Sequence, residues 1–175
     1  MPIQRARDAI SQVRLRTLAR RLLSASTLCA ISTVSADGRA HINTAYFAFS
    51  ASFDVVWLSA PEAHHSRNLR RRPSVAIAVY DSAQKWGGSD RGIQIFGNVR
   101  ELTGRSAREA ERTYGRRFKS YVRDELSAYH FYRLRPTRLK LFHEHELGGA
   151  TFVTARVSRG GILKWERTES YVSPA

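Results

Sequence analysis

The feature that most constrains this chain is a series of short runs rich in β-branched and aromatic residues: LCAISTVS, AHINTAYFAFS, DVVWLSA, SVAIAVYD, GIQIFGNVREL and HFYRLRPTRLKLFHE, all lying between Leu28 and Glu144. Runs of this length and composition are strands that bury at least one face. The first connections are too short for a crossover helix. ADG joins the first run to the second, with Asp37 and Gly38 suited to the positive φ angles of a tight hairpin, and SASFD joins the second to the third. Consecutive strands are therefore antiparallel. Six of them, with helical segments at their margins, predict a mainly β fold built as an antiparallel barrel.

The helical segments have their own signals. Ile3, Ala6, Ile10, Val13, Leu18 and Leu22 recur at spacings of three to five with arginines between them, which predicts an amphipathic helix over residues 3–23. Pro61 suits a first helical turn and Pro73 a stop, so the intervening segment reads as a short helix. Ser106 and Glu109 have the spacing of a capping box, ahead of Ala107, Ala110, Tyr114, Phe118 and Tyr121 on one helical side; the other side is basic. Residues 146–175 give at most one or two marginal strands. No linker or repeat divides the 175 residues, so one domain is expected over 1–175, with the helix at 3–23, the barrel at 27–145 and a C-terminal extension at 146–175.

Composition narrows the function classes. No apolar run approaches the length that spans a bilayer, and the amino terminus lacks the apolar core of a secretory signal. Cys29 is alone in an apolar run and reads as a core residue. A cytoplasmic protein with no membrane partner is expected. The formal net charge of +14 points to anionic ligands: nucleic acid, a phosphorylated small molecule or an anionic surface. Only Lys85, Lys119, Lys140 and Lys164 among the 29 basic residues are lysines, and an arginine bias of that kind is also what a GC-rich genome produces. No zinc-finger spacing, helix-turn-helix or RNP-like motif accompanies the charge, so nucleic acid is not the expected partner.

The densest chemistry lies in EAHHSRNLRRRP, residues 62–73. A helix opening there exposes unpaired amides with partial positive charge, and His64, His65, Ser66 and Arg67 crowd its first turn, a donor set suited to a phosphate. Arg70, Arg71 and Arg72 sit at the carboxyl end, where cations complement the helix dipole whatever the function. In FHEHE, His143 and His145 would share a strand face, half of a metal site with no third ligand visible. No metal site is assigned.

The order of elements and four segments resemble the pyridoxamine 5′-phosphate oxidase-like split β-barrels that bind FMN: DGRAHINTAYFAFS, VVWLSAPEAHHSRNLRRRPSVAIAV, RGIQIFGNVREL and FYRLRPTRLKLF. The resemblance implies a six-stranded antiparallel split barrel and a homodimer with a cofactor at its interface. It also implies residue roles. The flavin phosphate would lie against His64, His65, Ser66, Arg67 and Asn68, with His65 where relatives commonly carry a lysine. Asn43, Thr44, Ala45 and Tyr46 would border the ring through backbone groups, Ser59 would reach the ribityl chain or phosphate, and Trp86 and Gln94 of the opposite subunit would complete the pocket. The implied activity is an FMN-dependent oxidoreductase acting on a small molecule, with no catalytic acid or base assigned. Alternatives on the same fold are a deazaflavin-dependent reductase and a non-catalytic haem or flavin carrier. The carboxyl-terminal KWERTESYVSPA only faintly echoes the end of the name-giving oxidases, so that particular activity is not expected.

Overall fold

The computed structural model describes residues 3–6 and 9–172. In chain order the elements are β1 (Ile3–Ala6), α1 (Gln12–Ser24), β2 (Leu28–Val34), β3 (Ala40–Phe49), β4 (Val55–Ser59), α2 (His64–Arg71), β5 (Ser74–Tyr80), β6 (Arg91–Glu101), α3 (Gly104–Arg117), β7 (His130–His143), α4 (Glu144–Leu147), β8 (Thr151–Ser158) and β9 (Ile162–Tyr171). The fold is mainly β. Strands pair in the order β1-β9-β8-β7-β4-β3-β2-β5-β6, and β6 returns to pair with β7, which closes β2 to β7 into the expected six-stranded antiparallel barrel. No described helix is long and apolar enough to cross a membrane.

The chain divides into two compact units. One comprises residues 27–77 and 96–136. In it β2 and β3 pair over seven residues, from Leu28 opposite Tyr46 to Val34 opposite Ala40, through a hairpin in which Gly38 takes φ 88° but Asp37, expected to share it, has no positive φ. β4 pairs with β3 and, on its other edge, with β7. Val55, Val56 and Trp57 of β4 are all buried, because its outer face is also covered. Ala110 and Tyr114 of α3 pack there with Ala48, Val56, Leu102 and Phe131. Cys29 is buried as expected, and desolvation pushes its thiol up to about 12, so it stays protonated.

The other unit comprises the described residues of Met1–Ser26, Ala78–Ile95 and Thr137–Ala175. The predicted helix over 3–23 is corrected here. The helix occupies only Gln12–Ser24, Ile3–Ala6 forms a strand paired with β9, and residues 7 and 8 lie outside the described residues. The Ser11 hydroxyl accepts the Arg14 amide and fixes the helix start, and Leu15, Leu18, Ala19, Leu22 and Leu23 form the buried face while Val13 is exposed. The extension also exceeds its expectation. β8 and β9 pair from Thr151 opposite Ser170 to Ser158 opposite Ile162, with a bulge between Thr154 and Ala155 that shifts the register and breaks the alternation a sequence reader relies on.

Two further corrections concern helix starts. Thr103 stands at the N-cap of α3, so Ser106 falls inside the first turn, where its hydroxyl donates to the Thr103 carbonyl instead of forming a capping box with Glu109. Ala60 to Ala63 form a turn closed by the Ala63 amide on the Ala60 carbonyl, which delays α2 to His64, three residues past Pro61.

Closure at β6 and β7 generates a test. A Cβ on Gly97 would stand 2.1 Å from the Arg135 carbonyl oxygen, backbone that cannot step aside. Gly97→Ala is expected to cost roughly 1–3 kcal/mol or more in urea unfolding, while Gly149→Ala, with no atom within 4 Å, stays within about 0.5 kcal/mol of wild type. Equal stability of the two variants would contradict this packing.

Candidate functional site

The segment that carries the charge is held by a buried polar network. Cys29, Ile31 and Thr33 alternate onto the core face of β2, so a hydroxyl arrives where only a hydrogen-bonding partner makes it tolerable. Asn68 supplies it: its side-chain amide donates to Thr33 Oγ1 at 3.1 Å and to Ser35 Oγ at 3.4 Å. Ser35 Oγ also lies 3.0 Å from His64 Nε2, and the His64 ring stacks on His41 of β3 with centroids 4.4 Å apart and planes 20° from parallel. A second branch runs from the end of β4. Ser59 Oγ is 2.7 Å from His65 Nε2 and accepts from the Ser66 hydroxyl at 3.3 Å. Ser59, Ser66 and Asn68 are all buried.

This arrangement sorts the expected phosphate-binding residues into two groups. Ser59, Ser66 and Asn68 face inward and brace α2, whereas His64 and Arg67 are exposed and His65 is half-buried. No side chain caps the amino end of α2 at Ala63, which leaves the first-turn amides and the positive end of the helix dipole available to an anion. Burial, then the neighbouring His41 and His64 imidazoles, hold His65 below the usual histidine range. A neutral His65 can accept the Ser59 proton at Nε2 and keep Nδ1–H as a donor.

β3 runs past the same helix. His41, Asn43 and Ala45 alternate onto one face and Ile42, Thr44 and Tyr46 onto the other, so the four consecutive residues Asn43 to Tyr46 offer backbone groups jointly but side chains only in pairs. Asn43 Oδ1 is buried and unpartnered, one strand repeat from the His41 and His64 stack. That orphan acceptor fits an N–H donor of a bound ring. Ile42 and Tyr46 are 67% and 58% exposed, and Leu28, opposite Tyr46, is 44% exposed, so the outer face of β2 and β3 is an uncovered apolar surface.

Sequence reasoning missed Thr33, Ser35 and His41. Thr33 was detectable as a hydroxyl in register with Cys29 and Ile31; nothing local connects His41 to His64. Arg70 is accounted for by bonds to Glu101 Oε2 at 3.1 Å and to the Pro61 carbonyl. Hydrogen bonds from His130 and Arg70 hold the Glu101 carboxyl below its usual range.

Trp86 and Gln94 belong to the second unit. The loop carrying Trp86 is tied at its base, where Arg91 pairs with Asp81 and its amide donates to Gln84 Oε1, yet Trp86 itself is fully exposed. Gln94 lies half-buried on β6. The expected histidine pair is corrected: β7 ends at His143 and His145 stands on α4, so the two do not share a strand face. His143 Nδ1 is buried without a partner, and burial, followed by Arg21 and Arg91, holds this imidazole below its usual range. Among the described residues no three metal-ligating side chains gather.

The family model for pyridoxamine 5′-phosphate oxidase matches residues 15–143. The chain belongs to the pyridoxamine 5′-phosphate oxidase family. Similar solved structures include the haem storage protein HutZ of Vibrio cholerae, at 21% identity and TM-score 0.59 over 67% of this chain and 87% of that one. A haem-binding protein of Mycobacterium smegmatis shows 13% identity and TM-score 0.60 over 95% and 90%. A Clostridium acetobutylicum protein of the pyridoxinephosphate oxidase family, related to general stress protein 26, shows 11% identity and TM-score 0.63 over 85% and 97%. At these identities the likeness is one of fold. No curated protein matches the sequence.

His65 gives a prediction with a definite sign. Its folded pKa is depressed relative to the unfolded chain, so the native state binds fewer protons between that value and about 6.5, and its contribution to stability is lost as pH falls through this window. In an NMR titration of the ligand-free protein the His65 ring protons should titrate below about pH 6.5. A midpoint at or above it would contradict the buried, neutral imidazole.

Proposed function

We propose that the chain is an FMN-dependent oxidoreductase acting on a small molecule, with the cofactor held at a homodimer interface. The observation that carries this reading is the uncapped amino end of α2, flanked by exposed His64 and Arg67 and by the donor-bearing His65. A phosphate seated there meets backbone amides, a guanidinium and imidazole N–H groups at once. The orphan Asn43 oxygen supplies an acceptor for the ring, and the serine and asparagine network keeps α2 from moving as the anion binds. A bound flavin supplies two-electron hydride chemistry, while the chain orients the reacting face and shields it from water. Ile42, Tyr46 and Leu28 provide the apolar surface a second copy would cover, and Trp86 is free to stack on or cover a ring in a partner's pocket.

Two other cofactors remain in view. A deazaflavin coenzyme shares the anionic tail and would use the same turn. A haem carrier is suggested by the haem storage and haem-binding proteins among the similar structures and by His143, an imidazole kept neutral with an unsatisfied ring nitrogen.

Titration with FMN, deazaflavin coenzyme and haemin separates these readings. FMN is expected to bind and give the purified protein a yellow colour. Arg67→Ala should weaken binding about tenfold, the loss of one charge-assisted hydrogen bond of about 1.4 kcal/mol, and His65→Lys should tighten it and flatten its pH dependence. Binding of haemin alone, abolished by His143→Ala, would overturn the flavin reading.

A further inference from the structure

The outer face of α3 carries positive charge that the cofactor site does not use. At about 100° per residue, Arg105, Arg108, Arg112 and Arg116 fall within an arc of roughly 80°, opposite the buried Ala110 and Tyr114. Lys119 follows just beyond the helix. With Glu109, Arg112, Thr113, Gly115 and Arg116 it lines an open groove of about 550 Å³. Glu109 is taken by Arg105 at 3.2 Å, and Glu111 by the Tyr121 hydroxyl and Arg123. Among the described residues no carboxylate pairs with Arg108, Arg112, Arg116 or Lys119. Arg116 is laid along the helix by its bond to the Arg112 carbonyl at 3.2 Å, which orders its guanidinium before any ligand arrives.

We propose that this face binds the phosphate backbone of nucleic acid without reading its sequence. Successive arginines four residues apart rise about 6 Å, and the run from Arg108 to Lys119 spans roughly 16 Å, the length of about five phosphates on one strand. Guanidinium groups match phosphate oxygens in geometry as well as charge. The arc holds no apolar side chain to enter a bilayer and no aromatic anchor of the kind that dominates protein interfaces. A GC-rich genome accounts for how many arginines there are but not for their alignment on one arc with their acidic neighbours already paired. The absence of a sequence motif is consistent with backbone binding, which needs none.

The test is fluorescence anisotropy of the full-length protein with a labelled DNA duplex of about 20 base pairs, between roughly 50 and 200 mM salt. Replacing Arg108, Arg112 and Arg116 by Gln should lower affinity more than tenfold at the lower salt and reduce the slope of log affinity against log salt by about 2.7, the release expected for three phosphate contacts. A matched variant with Arg20, Arg159 and Lys164 replaced by Gln carries the same net charge and should change the slope by less than about one. Equal losses in the two variants would assign binding to overall charge and overturn the proposal. So would the absence of binding by wild type, or tighter binding to phosphatidylserine vesicles through the same three arginines.

Discussion

The hydrogen bond from the Asn68 amide to Thr33 Oγ1 is the contact on which the candidate site depends. Both groups are buried: apart from this bond Thr33 Oγ1 has only the His41 carbonyl at 3.4 Å and the Asn68 amide only Ser35 Oγ at 3.4 Å, so separating them would leave polar groups under-satisfied at a cost of about 1–3 kcal/mol. That bond sets the rotation of α2 against β2. Once the rotation is set, Ser66 must face Ser59, Leu69 the core, and His64 and Arg67 the solvent. The amino end of the helix then opens beside β3, where His41 stacks on His64 and Asn43 waits one repeat along the strand.

Two kinds of positive charge result, and they behave differently. At the start of α2 the charge is fractional and conditional: helix amides, a half-buried imidazole whose burial opposes protonation, and one exposed guanidinium. Such a site favours a single dianion and answers to pH. On α3 the charge is permanent, exposed and repeated, suited to a polymer of phosphates and answering to salt.

Most of the barrel was legible because its strands alternate and its hairpins are short. Leu28 to Phe49 forms two strands about a turn at Gly38, as the ADG triplet requires. What failed had local causes. Ile3, Ala6 and Ile10 mimic a helical stripe, but the capping of Arg14 by Ser11 starts the helix later and the first residues find an edge to pair with on β9. β8 and β9 were obscured by their bulge. At the site, the residue types suggest an anion-binding turn, and the helical period could have shown that Ser66 and Leu69 turn inward together. The pairing of His41 with His64 and of Asn68 with Thr33 brings together residues 23 and 35 positions apart, so it was invisible to any local pattern.

The most direct measurement is a crystal structure of the protein soaked with FMN. The account predicts phosphate density within about 3 Å of the first-turn amides of α2, between His64 and Arg67, with the Asn68 to Thr33 bond unchanged. Phosphate density at any other place on the chain, or a helix rotated so that Asn68 leaves Thr33, would contradict it.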